Sequence, residues 1–267
     1  MTYDEQVMWS WNLALGMLGG ASVGMAALWM VQRRTRNAGI VDAGWALGVG
    51  ACAVAAAVVL DGWIGRRLAI GGVMLLWSVR LGAYLLRDRI LGRPEDGRYA
   101  ELRREWRAAA DQRFFWFFQA QALAVLVFAL PALLSAANPR PSLSPLEQAS
   151  LALWALAFLG ELTADHQLEQ FKADRSNSGR TCRVGLWRYS RHPNYFFEWL
   201  LWVAFALFAA SSPWGWLAFA CPALMLYLLF RVTGIPATEA QALRSRGEEY
   251  RRYQQTTSAF FPWKPTS

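Results

Sequence analysis

Charged side chains inside long apolar stretches are the first candidates for chemistry in this 267-residue chain. Five stand out at the sequence positions Asp42, Arg80, Glu161, Asp165 and Glu198. A charge within a membrane span is costly, so each of them is a hypothesis of function by default. For two of these groups a purely structural interpretation remains open. Glu161 and Asp165 share a helical stripe with Glu169 and Lys172, which could be the solvated face of a helix. Asp42 could serve only as the ion-pair partner of Arg80.

The densest polar cluster runs from Arg188 to Tyr195 and leads directly into another apolar stretch. Pro193 suits the first turn of a helix, where the free amides and the positive end of the dipole attract anions. With Glu198 one turn deeper than Asn194, this combination of Arg, His, Asn and Tyr indicates a site for a phosphate-bearing nucleotide. The alternative is a helix cap whose arginines reach lipid phosphates.

The elements that must position these side chains are apolar helices. The chain is 55% hydrophobic and 17% charged, contains 15 Trp, and yet has a formal net charge of +8. Apolar and basic residues are therefore segregated into blocks, as a bilayer requires of its spans of about 20 residues. We predict an all-α polytopic membrane protein with seven transmembrane helices, at 9–31, 38–60, 66–86, 114–135, 146–165, 194–212 and 213–231.

The basic residues also predict an orientation. If the connections 32–37, 87–113 and 166–193 and the tail 231–267 share one side, that side holds 23 of the 27 Lys and Arg residues. Basic connections stay in the cytoplasm, so the N-terminus is expected outside and the C-terminus inside, with 236–256 as an amphipathic interfacial helix.

Several site types are excluded by the residue inventory. Three Cys and two His in no ligand spacing leave no zinc or haem pattern, so no metal is expected. No glycine-rich fingerprint follows a predicted strand, which excludes a Rossmann site. Any dinucleotide must be held by helix ends and side chains.

A resemblance to a known family enters through three groups of residues. The segments 161–172 and 185–198, which contain Glu161-Leu162-Thr163-Ala164-Asp165 and Arg191-His192-Pro193-Asn194-Tyr195, resemble the C-terminal domain of the steroid 5-alpha-reductase superfamily. Together with Val41-Asp42-Ala43-Gly44-Trp45 and Trp77-Ser78-Val79-Arg80-Leu81, the chain resembles the bacterial branch catalogued as a domain of unknown function. Sterol reductases and isoprenylcysteine carboxyl methyltransferases carry a similar Arg-His-Pro-Asn-Tyr element.

The resemblance implies two domains, an N-terminal substrate side at 1–135 and a C-terminal reductase domain at 146–267 that holds NADPH. Four cations, Lys172, Arg180, Arg191 and Arg231, favour NADPH over NADH because they can meet a 2′-phosphate. The expected cofactor-binding residues are Asp165, Lys172, Arg180, Tyr189, Arg191, His192, Asn194, Tyr195, Glu198, Arg231, Glu239 and Tyr250.

The reaction that the resemblance implies is reduction of the 4,5 double bond of a 3-oxo-4-ene steroid in the bacterial inner membrane. Family members hold the ketone with a Glu on the second helix and a Tyr on the third. Asp42 matches the Glu, Trp77 stands in place of the Tyr, and Tyr84 follows two turns later. Either Asp42 acts as the acid, alone or with Tyr84, or the substrate is oriented differently. We expect Asp42 and Tyr84 to be the catalytic residues, with Asp42 kept protonated by its apolar surroundings, and Trp45 and Trp77 to contact substrate.

Two rival functions stay open. One is an S-adenosylmethionine-dependent membrane methyltransferase that uses the same Arg-His-Pro-Asn-Tyr loop. The other is a scaffold or lipid-binding protein whose basic inner face contacts anionic lipid. Neither nucleic acid nor an obligate protein partner is indicated; the expected partners are membrane lipid and an apolar enone.

Overall fold

The computed structural model describes residues 3–232 and 234–266, with side chains from residue 12 onward. The protein is about 80% helical, and these ranges contain no β-strand, so the all-α prediction is confirmed. The α-helices within them are α1 (Tyr3–Thr35), α2 (Ile40–Val59), α3 (Ile64–Leu85), α4 (Gly97–Trp106), α5 (Ala110–Ala136), α6 (Pro145–Ala173), α7 (Pro193–Ala209), α8 (Ala220–Arg231), α9 (Ile235–Arg246) and α10 (Glu248–Thr256).

The prediction of seven membrane spans is wrong for the described residues, because only five helical stretches there are long and apolar enough to cross a bilayer. The predicted span at 146–165 lies in α6, which is long but carries Glu147, Glu161 and Asp165. The one at 194–212 corresponds to α7, an apolar helix of only 17 residues. The five stretches are those of a membrane protein: Asn12–Thr35, Ile40–Val59, Ile64–Ile90, Gly97–Ala136 and Gly215–Arg246.

The chain divides into two compact units. The first contains residues 1–147 together with 206–218, and the second contains 148–205 and 219–267. All four residues predicted for catalysis and substrate binding fall in the first unit. All twelve predicted for the cofactor fall in the second.

Small residues allow the helices of the first unit to approach closely. A Cβ at Gly50 would lie 2.1 Å from the hydroxyl oxygen of Ser78, and that hydroxyl donates to the carbonyl of Ala46 over 2.8 Å. Helices α2 and α3 therefore touch at the backbone, and a larger residue at Gly50 would push them apart. At the neighbouring pair of helices, Ser22 on α1 donates to Gln119 on α5 over 2.6 Å.

A buried ion pair fastens the start of α3 to the connection before α6. Arg66 is fully buried and donates to Glu147 over 2.5 Å, to the carbonyl of Arg140 over 2.8 Å and to that of Ser142 over 2.6 Å. Burial raises the pKa of Glu147, but the hydrogen bonds from Arg66 and Ser144 outweigh it and the pKa is lowered. On this side of the first unit, which is predicted to be the outer one, hydrogen bonds from the Arg66 guanidinium therefore join α3 to the segment that leads into α6.

In the second unit, α6 and α7 also meet at a glycine. A Cβ at Gly160 would lie 2.4 Å from the ring of Phe197. The indole of Trp187 donates to the carbonyl of Ala164 over 2.9 Å, which fixes the segment before α7 against α6. These contacts set the register in which polar residues of the two helices face each other.

The predicted interfacial helix at 236–256 is interrupted. Gly247 has a φ of +54°, a conformation that glycine adopts without the steric cost other residues incur, and it separates α9 from α10. The bend turns Tyr250 and Tyr253 of α10 inward, where both are buried.

Candidate functional site

Asp42 lies in the first turn of α2 and is held by two neighbours from α4. The hydroxyl of Tyr99 donates to its Oδ1 over 2.6 Å, and Nη2 of Arg98 lies 3.2 Å from its Oδ2. Both carboxylate oxygens of Asp42 therefore accept from donors on α4. That Asp42 is kept protonated stays a prediction.

Arg98 is shared with a second carboxylate, Asp96, which caps the start of α4. Asp96 accepts from the backbone N–H of Arg98 and from its Nε, each over 3.0 Å. Burial raises the pKa of Asp96, but the hydrogen bonds and charge of Arg98 outweigh it and hold the pKa below its ordinary value. The cap therefore orders α4 in the form that presents Arg98 and Tyr99 to Asp42.

Arg98 and Tyr99 were not among the predicted site residues. They lie 56 and 57 residues from Asp42 in the chain, and no local pattern links positions so far apart. The one sequence signal was a run of Gly97, Arg98 and Tyr99 in a polar connection. The ion pair that the structure gives for Asp42 is with Arg98.

The other predicted residues of the first unit lie in apolar surroundings. Trp77 is fully buried, and its ring meets that of Trp45 edge to face at a centroid distance of 5.7 Å. Trp45 also contacts the ring of Phe128 in the same way at 5.1 Å. Tyr84 packs against a buried cluster that includes Leu85. Aromatic side chains such as Trp45 and Trp77 suit contact with a flat apolar molecule, and they also occur as ordinary core packing.

The second unit has its own polar cluster, centred on Glu239 of α9. Arg191 donates to Glu239 through Nε over 2.7 Å, His192 lies 3.2 Å away through Nε2, and Gln254 of α10 donates over 2.8 Å. Arg191 also donates to the carbonyls of Gln254, over 3.0 Å, and Thr257, over 2.5 Å. Most of the guanidinium is thus used in joining the segment before α7 to α9 and α10.

Two further predicted residues, Tyr195 and Tyr250, adjoin this cluster. The rings of His192 and Tyr195 are stacked 5.3 Å apart and nearly parallel, and the Tyr195 hydroxyl lies 3.3 Å from that of Thr238. Tyr250 is buried beside Glu239, and burial together with that carboxylate raises its pKa to about 12. The phenol of Tyr250 therefore keeps its proton at neutral pH.

A second line of polar residues joins α6 to the start of α7. The side-chain amide of Asn194 donates to Asp165 over 3.3 Å. One turn deeper, Glu198 is buried and accepts from the indole of Trp202 over 2.8 Å. Asn194 and Glu198 lie one turn apart on α7, as the sequence predicts, and Asn194 contacts Asp165 on the neighbouring helix α6.

Four of the predicted cofactor residues, Lys172, Arg180, Tyr189 and Arg231, are exposed. Among the described residues no hydrogen bond or ion pair joins Arg180 or Arg231 to the Glu239 cluster. Exposed Lys and Arg side chains are donors of the kind that bind phosphates. In the described ranges no group of three His, Cys, Asp or Glu side chains is arranged to hold a metal ion.

Comparison with known proteins places this chain in a family. A family model described as "Protein of unknown function (DUF1295)" matches residues 28–257. The chain belongs to the DUF1295 family. The family is membrane-associated, in agreement with the apolar helices. The matched range includes both polar clusters, centred on Asp42 and on Glu239.

A relative from Schizosaccharomyces pombe, named as an uncharacterized protein, is 29% identical to this DUF1295 protein over an alignment of 224 residues that covers 74% of the present chain. The chain spans 64% of the length of that relative. No solved structure matches this DUF1295 protein.

Proposed function

We propose that this protein is an NADPH-dependent reductase of the carbon–carbon double bond of an apolar enone, with 3-oxo-4-ene steroids as the substrate class. The observation that carries the proposal is the contact between Tyr99 and Asp42, a buried phenol held 2.6 Å from a carboxylate in an apolar unit. The resemblance of the sequence to steroid 5-alpha-reductases supplies the reaction type.

The reaction needs a hydrogen-bond donor for the ketone oxygen, which becomes negative when the β carbon is reduced. A donor aimed at such an oxygen in a dry site lowers the barrier by several kcal/mol. Tyr99 is 3% exposed and has one O–H to give, so we assign it this role in place of a protonated Asp42. Asp42 and Arg98 then act as positioning residues: Asp42 accepts the O–H of Tyr99 until the phenol exchanges that acceptor for the ketone oxygen, and Arg98 balances the charge of Asp42.

The second unit is proposed to hold the cofactor. When bound, NADPH supplies the hydride that adds to the β carbon, and a proton completes the neighbouring carbon. Lys172, Arg180 and Arg231 meet the phosphates, because their side chains are exposed while most of Arg191 is already bound within the protein. Asn194, Asp165 and Glu198 form a polar line suited to a carboxamide and a ribose.

The orientation and membrane also remain proposals. The excess of Lys and Arg in four segments supports an N-terminus outside and a C-terminus in the cytoplasm of a bacterial inner membrane. Fusing reporters that are active on only one side of the membrane to the C-terminus tests this. Activity of a periplasmic reporter fused to the C-terminus would contradict the proposed orientation.

The test of function uses the full chain in lipid nanodiscs. NADPH is expected to raise the thermal unfolding temperature, and NADPH oxidation is expected to depend on a 4-ene-3-keto steroid. NADH should be used less well if cations meet the 2′-phosphate. Stabilisation by S-adenosylmethionine alone would favour the methyltransferase, and stabilisation by neither would sink the proposal.

The Asp42 variants separate roles within the first unit. Asp42→Asn keeps an acceptor for Tyr99 and should retain part of the turnover, whereas Asp42→Leu removes it and should abolish turnover. Full activity in both variants would remove Asp42 from the mechanism, whatever NADPH binding showed.

A further inference from the structure

The C-terminal tail displays large apolar side chains although its backbone is fixed. Trp263 is 75% exposed and Phe261 is 56% exposed, next to Tyr189 at 42%. With Arg188 and Lys264, which are also exposed, these three form what we call the tail patch. Aromatic side chains clustered on the surface of a folded segment mark an interaction site rather than ordinary surface.

Hydrogen bonds hold the tail in this form. The N–H of Trp263 donates to the carbonyl of Tyr189 over 2.9 Å, and the hydroxyl of Ser190 donates to the carbonyl of Phe260 over 2.8 Å. Further along, the N–H of Thr266 donates to the carbonyl of Thr256 over 2.9 Å. Phe260 points inward and is buried, so the outward position of Phe261 and Trp263 is built into the fold.

The patch adjoins the first turns of α7, an apolar helix. The ring of Phe261 lies 5.8 Å from that of Phe196 and 5.9 Å from that of Trp199, both on α7. In membrane proteins, Trp, Tyr, Lys and Arg collect where an apolar helix ends, at the depth of the lipid headgroups. The composition of the tail patch is that of such a boundary.

The two segments that carry the patch have charges of one sign. Residues 183–195 and 256–267 contain no Asp or Glu, while they include Arg188 and Lys264. A basic and aromatic surface is complementary to anionic phospholipid, since each cation near the membrane surface adds to the attraction.

We propose that the tail patch docks on the headgroup layer of anionic phospholipid and so fixes the C-terminal segment of the second unit to the membrane. Phe261 and Trp263 enter the boundary between headgroups and acyl chains, and Arg188 and Lys264 meet the phosphates. The proposal does not depend on the reaction that the protein catalyses.

The experiment places a nitroxide on the tail of the full chain. The three native cysteines are buried, so a Thr266→Cys variant gives one labelling position. In nanodiscs of phosphatidylcholine with phosphatidylglycerol, the nitroxide should be relaxed by oxygen, which enters lipid, more than by a water-soluble nickel chelate. The preference for oxygen should decrease in pure phosphatidylcholine and with Lys264→Glu.

A double variant, Phe261→Ser with Trp263→Ser, should reverse that preference. Trp216→Ser is the matched control, because Trp216 is 63% exposed in the first unit, and it should leave the nitroxide unchanged. Chelate access in the parent protein would overturn the proposal. So would broadening of the spectrum by a second nitroxide, which would mean that another copy covers the patch. If the double variant does not fold, the lipid comparison and Lys264→Glu still decide.

Discussion

The two carboxylates at the centres of the polar clusters differ in how completely the protein uses them. Glu239 accepts from Arg191, His192 and Gln254, which come from the segment before α7 and from α10. Among the residues that the structure describes, the donors to Asp42 are Tyr99 and Arg98, and both lie on the short helix α4. The side chain of Glu239 is 14% exposed and that of Asp42 is 28% exposed.

This difference separates a site that holds the fold from the site to which we assign the proposed chemistry. Around Glu239 each donor ties another segment of the second unit, so removing the carboxylate should cost stability. Around Asp42 the donors come from one helix, and in the proposed mechanism the phenol of Tyr99 exchanges its partner for a substrate oxygen. A cluster of charged residues is therefore not by itself a catalytic centre.

The largest expected effect is on stability and comes from Glu239→Ala. The variant leaves the nearly buried guanidinium of Arg191 without its carboxylate, a change that typically costs about 3 kcal/mol. For a protein of this size that lowers the thermal unfolding temperature by roughly 6–12 °C. Thermal unfolding in detergent or nanodiscs measures it.

The matched control is Glu248→Ala, since the Glu248 side chain is 73% exposed and pairs only with Arg251 three residues along the helix. An exposed pair contributes at most about 1 kcal/mol. If Glu239→Ala unfolds no earlier than this control, Glu239 is not a clamp and its donors are available to a ligand.

The next effect is on turnover and comes from Tyr99→Phe. Loss of a donor to a developing oxyanion lowers the turnover number by roughly a hundredfold, while one lost hydrogen bond costs about 1 kcal/mol of stability. Measuring kcat/KM for the enone beside the unfolding temperature separates the two. Tyr84→Phe is the competing variant: should it lose more turnover than Tyr99→Phe, the donor is Tyr84, as the sequence resemblance implied.

A smaller effect concerns the cap of α4 and its dependence on pH. Removing the cap with Asp96→Ala should cost about 1 kcal/mol at neutral pH. The pKa of Asp96 is below its ordinary value of 3.8, so its contribution is complete above that value and is lost as the pH falls through the lowered pKa. The unfolding temperatures of parent and variant should therefore differ at neutral pH and approach each other in acid.

The control for this cap lies on the same helix. Glu101→Ala removes a carboxylate whose side chain is 70% exposed, and its effect should be small at every pH. A difference between parent and Asp96→Ala that stayed constant into acid would show that the carboxylate of Asp96 is not what orders α4.

The helical fold was predictable because apolar runs of about 20 residues are typical of helices that cross a membrane. Five of the seven runs correspond to helical stretches long enough to span a membrane. The two that failed show what hydropathy misses: acidic residues at Glu161 and Asp165 interrupt the apolar character of α6, and α7 ends at Ala209. The break at Gly247 was also missed, since the pattern of side chains continues across a residue whose backbone turns.

The candidate site was predictable in part, and the limit is physical. Helix spacing brought Asn194 and Glu198 onto one face, and the structure places Asp165 opposite Asn194. Long-range pairing leaves no trace in a single sequence, so the contact of Asp42 with Tyr99 was missed. The resemblance could name Arg191 as a cofactor residue, but only the fold shows how much of its guanidinium is already bound.

The smallest stability effect, and the sharpest test within the second unit, is expected from Tyr195→Phe. The ring keeps its stack on His192, and the lost hydroxyl contact with Thr238 is 3.3 Å long and exposed, so stability should change by about 0.5 kcal/mol or less. If Tyr195 belongs to the cofactor site, NADPH should nevertheless bind several-fold more weakly. Calorimetric titration with NADPH measures this separately from unfolding.

Tyr227→Phe supplies the reference, because Tyr227 is 58% exposed on α8 and is not among the predicted cofactor residues. Weaker NADPH binding in Tyr195→Phe but not in Tyr227→Phe would place ligand recognition beside the Glu239 clamp, with the clamp itself unchanged. Equal binding in both variants would remove Tyr195 from the cofactor site. Asp165, Asn194 and the exposed cations would then have to recognise NADPH. The second unit would contain two groups of residues, one that stabilises the fold and one that binds the cofactor.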